Sequence, residues 1–344
     1  MKLVLSEVGN TLHVDMSGLD LSYANAIRRT LESDIPILCF KEPDITIVKN
    51  SSGTANDIVK HRLGCIPICL YLDNSVIKQF DDLLLQIKRS ASSEKEELVT
   101  SEHFLVSNTR TGEQLDTAKL FPPFVFRGES HFIQFLKLPP QTSIELSCPI
   151  RIGTASENGK YNAVCDCTLT AAIDQPARQA ARNAFVAQKE ILSKHELNNW
   201  DALNGPRFTI PDSHLLVLET VGGYRNTDLL KIALSILRSK FEQLVHKMAV
   251  LPQPEEKMPN CIYIQMPDTT YTEGNILVHE IYTHYFGTRV TYVAFSRMHP
   301  HDPYCLLKIA FASVDEMEGA LRLVNIVVND NVIPRIDAIT ELIH

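Results

Sequence analysis

The sequence predicts an α+β fold made of two related halves, each a sheet layered with helices, that pair within one chain. A mostly β domain interrupts the first half. Three observations predict this: an element order that returns late in the chain, a change to short β-type stretches in between, and a proline-rich linker ahead of the return.

In order, Lys2–Val8 and Thr11–Met16 alternate apolar and polar residues around Gly9-Asn10, a hairpin signal. Ser22 to Ser33 has helical spacing, with Ser22 as candidate N-cap, and Pro36 ends it. Ile35–Phe40 is an apolar strand-like run. Residues 1–40 and 175–250 are thereby assigned to the first half and 41–174 to the insertion, with strands expected at Ile45–Val48, Ile66–Leu72, Leu83–Lys88, Ile144–Ile152 and Ala163–Ala171. Ser90–Glu97 reads as a solvated loop. Ala177–His195 is expected as an exposed helix, Phe208–Thr220 as β structure, and Asn226–Met248 as a long amphipathic helix. Residues 251–259 contain three prolines and form the linker. Residues 260–344, the second half, then read strand (Ile262–Met266), helix (Thr272–His284), strands (Arg289–Arg297, Leu306–Ser313) and helix (Val314–Asn329).

Composition limits function. The 344 residues are 44% hydrophobic and 22% charged, as in a globular protein. Lys and Arg number 33 against 41 Asp and Glu, a net charge of −8. A chain that grips phosphates carries a basic stripe, so direct nucleic-acid contact is expected to be minor or absent. No apolar run approaches the ~20 residues that span a bilayer, and Met1–Glu7 enters a strand with no secretory signal. An intracellular, non-membrane protein is expected. Of the eight cysteines, Cys65/Cys69 and Cys165/Cys167 are the close pairs, and neither repeats the C-x₂-C spacing of structural zinc. No metal and no cofactor are expected.

The two first helices match in detail. Ser22-Tyr-Ala-Asn25-Ala-Ile27-Arg28-Arg29-Thr-Leu31 stands against Thr272-Glu-Gly274-Asn275-Ile-Leu277-Val-His-Glu-Ile281. Each has a hydroxyl residue, a small residue beside Asn, and apolar residues two and six positions later. Gly274 inside a helix costs up to ~1 kcal/mol against Ala, tolerable where another backbone approaches closely. Asn25, Ile27, Leu31, Gly274, Asn275, Leu277 and Ile281 are therefore the candidate contacts of an intramolecular dimer with approximate two-fold symmetry.

Asn25-Ala26-Ile27-Arg28-Arg29 resembles the Asn-Ala-Leu-Arg-Arg motif of the bacterial RNA polymerase alpha family and its archaeal (D-type) and eukaryotic relatives. His61-Arg62-Leu63-Gly64-Cys65-Ile66-Pro67-Ile68 resembles the His-Arg-Leu-Gly-Leu-Ile-Pro-Leu motif of the archaeal and eukaryotic branch. Gly159-Lys160-Tyr161-Asn162-Ala163 and Leu218-Glu219-Thr220-Val221-Gly222 are similar to two further stretches. Beyond the linker, Thr272-Glu273-Gly274-Asn275 and Val293–Pro300 resemble the small partner of that family, the archaeal L-type protein. A fusion of the two is similar to the arrangement in large cytoplasmic DNA viruses of asfarvirus type. Val278-His279 stand where the small partner carries a cation, Leu83–Leu98 lacks the cysteines many relatives use for metal, and Gln175–Leu203 has no counterpart.

The resemblance implies a non-catalytic subunit of a DNA-directed RNA polymerase: a platform that docks the second-largest subunit and meets other small subunits. A viral chain of this kind would work in the host cytoplasm. Docking then falls to Arg29, whose fork-shaped guanidinium suits carboxylates and carbonyls, and to Arg28, His61, Arg62 and Gly64. Solvated helix arginines, and local packing for His61, are the other readings of these residues. Gly64 is expected in a tight turn. A stand-alone interaction module sharing the dimerisation fold is the alternative function. Enzyme readings are weaker: in His279-Glu280-Ile-Tyr-Thr-His284 the histidines are five apart rather than four, so they point ~140° apart on a helix, and no catalytic residue is expected.

Overall fold

Alternation decides the first hairpin. In strands β1 (Lys2–Val8) and β2 (Thr11–Ser17), paired antiparallel, Leu12, Val14 and Met16 face inward and their neighbours outward. Gly9 turns the chain at φ +64°, a left-handed conformation suited to glycine. The computed structural model describes residues 1–69, 80–188, 193–251 and 258–343. They form a mixed α/β structure with several antiparallel sheets.

The chain packs as two compact units, one of Met1–Leu31, Asp166–Glu219 and Leu230–His344, the other of Glu32–Cys165 and Thr220–Leu229. The first unit holds two four-stranded sheets. One runs in the order β1-β2-β4-β3, with β3 at Val164–Ile173 and β4 at Thr209–Thr220. The other runs β5-β6-β8-β7, with β5 at Ala249–Leu251, β6 at Cys261–Pro267, β7 at Val290–Ser296 and β8 at Tyr304–Phe311. The strand order is the same in both. Each second strand leads into a helix, α1 (Leu21–Ser33) after β2 and α3 (Tyr271–Tyr285) after β6. Each third strand in space leads into further helix: α2 (Asn226–Lys247) after β4, and a segment ending in α4 (Ile333–Glu341) after β8.

The second unit is mostly β. Ser143–Gly153 is the central strand, flanked by Ile37–Phe40 and Thr46–Asn50 on one side and by Leu83–Ser90 and then Leu105–Asn108 on the other. Its core is aromatic: Phe104 meets Phe121 and Phe135 edge-on at centroid distances of 5.2 and 5.8 Å.

Several local expectations are corrected. Asp20, not Ser22, supplies the first-turn acceptor, taking the Ser22 N–H at 2.8 Å; a carboxylate there also suits the helix dipole. His61 to Gly64 belong to a helix, Asn56–Gly64, so Gly64 is not in a tight turn. Ile66–Cys69 forms no strand, and 70–72 lie outside the described residues. The helix expected over Ala177–His195 stops at Ala187; another begins at Lys194, where Ser193 and Glu196 form a capping box. The last helix starts as a tight 3₁₀ turn at Val314 and passes through a wide π-type turn, Val327–Val332, just before Pro334. Proline has no N–H to give the carbonyl four residues back. Most of the expected linker, 252–257, lies outside the described residues.

Candidate assembly interface

Helices α1 and α3 start alike. Thr270 accepts the Thr272 N–H at 3.2 Å, as Asp20 accepts that of Ser22. Thr270 also donates its own N–H to Glu273 at 2.9 Å, completing a capping box. Asn275 stands 250 residues after Asn25 (275 − 25), and the same offset relates Thr270 to Asp20, Tyr271 to Leu21 and Ile281 to Leu31. Ile27, Leu31, Leu277 and Ile281 are all buried, the apolar faces that helical spacing predicts.

Polar groups join the two helices. The Tyr23 hydroxyl donates to Glu280 Oε1 at 2.7 Å, and Arg335 from α4 donates to the same oxygen at 3.0 Å. His284 Nε2 lies 3.2 Å from Oε2 of Glu280. Glu280 is only 1% exposed, so these partners replace the water that a carboxylate needs. Burial, followed by the bond to Glu280 and its charge, pushes the Tyr23 hydroxyl far above its usual range and keeps it a proton donor. The Arg335 guanidinium also lies over the Tyr23 ring, 5.5 Å from its centre. Around this cluster Arg29 Nε donates to Thr272 Oγ1 at 2.9 Å, and His279 approaches Asp20 at 3.5 Å. Burial works against ionisation of Asp20, but hydrogen bonding from Ser22 and the neighbouring His279 hold its carboxyl below the ordinary range.

Helix α2 adds two pairs. Lys240 donates to Glu273 at 2.9 Å, and Arg238 to Asp337 of α4 at 3.0 Å. Burial would raise the Glu273 carboxyl, yet the Lys240 charge and the hydrogen bonds from Thr270 leave it below its ordinary value.

The site residues named from sequence divide. Gly274 is buried, but what fills the space beside it is no helix backbone: a Cβ there would stand 2.3 Å from Cδ1 of Phe295, on β7 of the same half. Asn25 is half-buried and accepts from Arg28 Nε at 3.0 Å; Asn275 is exposed. Both line an open groove with Leu21, Val278, His279 and Tyr282. Arg29 is exposed and engages Thr272 within the chain. His279 and His284 turn to Asp20 and Glu280 respectively. Spacing does not reveal Tyr23, Glu273, Glu280 or Arg335, which read as ordinary helix residues; Glu280 and Glu273 on an otherwise apolar face were the available signal.

In the second unit His61 and Arg62 are exposed, and Arg62 reaches the Gln134 carbonyl at 3.4 Å. Leu63 and Gly64 are buried. A Cβ on Gly64 would lie 3.1 Å from Lys160 Nζ and 3.3 Å from the Phe40 carbonyl. Two of the motifs singled out in the sequence thus meet, the Lys160 ammonium pairing with Glu42 beside Gly64. The Lys160 hydrogen bond holds the Glu42 carboxyl below its ordinary value. Among the described residues no group of three or more His, Cys, Asp or Glu side chains is arranged to hold a metal, and no helix is long and apolar enough to cross a membrane.

Two antiparallel sheets share one strand order, and the second strand of each leads into a helix that starts alike. Residues 13–241 match the RNA polymerase Rpb3/Rpb11 dimerisation domain family, and the chain belongs to it. It is 28% identical over 175 residues to the DNA-directed RNA polymerases I and III subunit rpac1 of Dictyostelium discoideum, covering 47% of this chain and 49% of that protein. To the DNA-directed RNA polymerase subunit Rpo3 of Methanosphaera stadtmanae it is 22% identical over 266 residues, 67% of this chain and 92% of that one. To RPAC1 of Bos taurus it is 25% identical over 204 residues, 51% and 58%. The chain thus spans about half the length of the first of these relatives.

Proposed function

We propose that the chain is a non-catalytic subunit of a multisubunit DNA-directed RNA polymerase and an assembly platform for its second-largest subunit. In this reading residues 1–40 and 175–250 make the first half, 41–174 the insertion and 260–344 the second half, paired as an internal counterpart of two separate subunits. The observation that carries it is the repeated strand order, β1-β2-β4-β3 and β5-β6-β8-β7, in a chain of this family. Strand β3 joins the first sheet from the end of the 41–174 segment, and β5 joins the second from the edge of the linker. One chain bearing both halves fits a fused viral subunit working in the host cytoplasm. Joining the halves raises the effective concentration of each for the other.

The docking face includes the groove between α1 and α3, where Leu21 and Tyr282 are exposed and the Tyr282 and Phe286 rings stack at 4.5 Å. An exposed aromatic pair of this kind favours a protein partner. Arg28 bonds Asn25 of this groove and Arg29 bonds Thr272; His61 and Arg62, exposed on the second unit, are separate candidate contacts. Gly64 contributes indirectly, by leaving room for Lys160. Other small polymerase subunits are further partners in this reading.

Co-expression with the second-largest polymerase subunit from the same source, followed by size exclusion with mass determination, tests the assignment. A one-to-one complex is expected, weakened roughly tenfold or more by Arg29→Ala. Thr272→Val removes the Arg29 hydrogen bond but keeps the guanidinium. Equal weakening by both variants would mean that Arg29 braces the helices rather than touching the partner. Separate elution, with other small subunits supplied, would favour a stand-alone interaction module.

A further inference from the structure

Among the described residues, most of the side-chain hydrogen bonds that join the two halves run in one sense. Tyr23, Arg29, Arg238, Lys240 and Lys247 of the first half donate to Glu280, Thr272, Asp337, Glu273 and Asp268 of the second. His279 approaching Asp20 runs the other way, at 3.5 Å. We propose that this donor-to-acceptor polarity is a pairing-specificity device: Glu273 and Glu280 make the second half accept the first half and reject a second copy of itself. The inference rests on the internal pairing proposed above and is independent of the polymerase assignment.

The 250-residue offset shows why. Tyr23 of α1 corresponds to Glu273 of α3, and Thr30 to Glu280. The observed Tyr23–Glu280 contact fixes which positions face one another in the crossing. If two second halves crossed in the same way, Glu273 of each would face Glu280 of the other. A two-fold interface makes every contact twice, so four carboxylates would be brought together in place of the one hydroxyl–carboxylate bond seen here, Tyr23 to Glu280. The counterpart position, Thr30, leaves its hydroxyl unbonded, while Glu273 turns to Lys240 and Thr270. The sites are dry, since Glu273 is 2% and Glu280 1% exposed. Like charges at close range in a dry site cannot all ionise. Lys240, the cation that answers Glu273, belongs to the first half and would be missing from such a pair. Arg335, on the second half, is the cation that would remain beside Glu280. Two first halves would meet no such bar, because Tyr23 would face Thr30. The exclusion is one-sided, and repulsion against the wrong partner is how such discrimination is commonly built.

Glu273→Lys in the full-length chain tests this. The new ammonium repels Lys240 within the chain and complements Glu280 of another copy. Light scattering should show about twice the native mass, rising with concentration. Glu273→Lys combined with Lys240→Glu restores an opposite-charge pair within the chain and should return the native mass. A Glu273→Lys chain that keeps native mass and native melting midpoint would overturn the proposal. If that variant does not fold, the exchange Tyr23→Glu with Glu280→Tyr decides instead. Tyr23→Glu alone should lower the midpoint by roughly 5–10 °C, and the exchange should recover at least about half of it, with the carboxylate still near Arg335. No recovery overturns the specificity proposal alone. An unchanged midpoint in Tyr23→Glu would overturn the internal pairing with it.

Discussion

Gly274 is expected to make room for a facing helix, and what lies beside it is a ring of its own half. A glycine inside a helix signals close approach, and spacing alone pointed to a facing backbone. The approaching group is the Phe295 ring, which occupies the place a Cβ would take, at 2.3 Å. A flat ring can slide, but Phe295 is also held edge-on by Tyr271, 5.6 Å away. Gly274→Ala is therefore expected to destabilise the chain by about 1–3 kcal/mol, the usual range for overpacking, measured by urea unfolding. Phe295→Leu in the same chain should recover part of that loss. No loss in Gly274→Ala would mean that the ring moves aside freely.

At the scale of one element, the start of α3 does two jobs with one side chain. Glu273 accepts from the Thr270 N–H and hydroxyl at 2.9 and 2.7 Å, which caps the helix, and from Lys240, which ties it to α2. Its carboxyl sits below the ordinary value near 4.5 in the folded chain. A lowered folded value means that its stabilisation is complete above the unfolded carboxyl's value and is lost as pH falls through the folded one. Acid should therefore weaken the native chain more than Glu273→Gln, whose midpoint should be lower near neutral pH and fall less below pH about 4.5. Parallel acid limbs for the two proteins would remove Glu273 from the account. Thr270→Ala should cost about 1 kcal/mol through the same cap.

For the whole molecule, internal pairing predicts behaviour under dilution. Halves joined in one chain meet without regard to protein concentration, whereas separate subunits come apart as they are diluted. The unfolding midpoint is expected to stay constant over a roughly hundredfold dilution. A midpoint that falls with dilution would show that the native state depends on a second chain. Such a result would also remove the reason for the polarity between Tyr23, Lys240 and their carboxylate partners.

Much of this architecture follows from local rules. Alternation in Thr11–Ser17, the apolar stripe of Ile27 and Leu31, and its echo in Leu277 and Ile281 are properties of neighbours along the chain, and they made the repeated helix legible. Motif likeness by itself pointed to the family. What the sequence could not determine lies between distant residues. Hydrogen bonding binds Tyr23 to Glu280, 257 residues away, and Arg29 to Thr272, 243 away. Whether Arg29 points to solvent or to another helix, and whether Glu280 is a surface charge or a buried acceptor, depends on which faces are brought together. Neither propensity nor spacing encodes that; only the folded chain, where a carboxylate without water must find a donor, decides it.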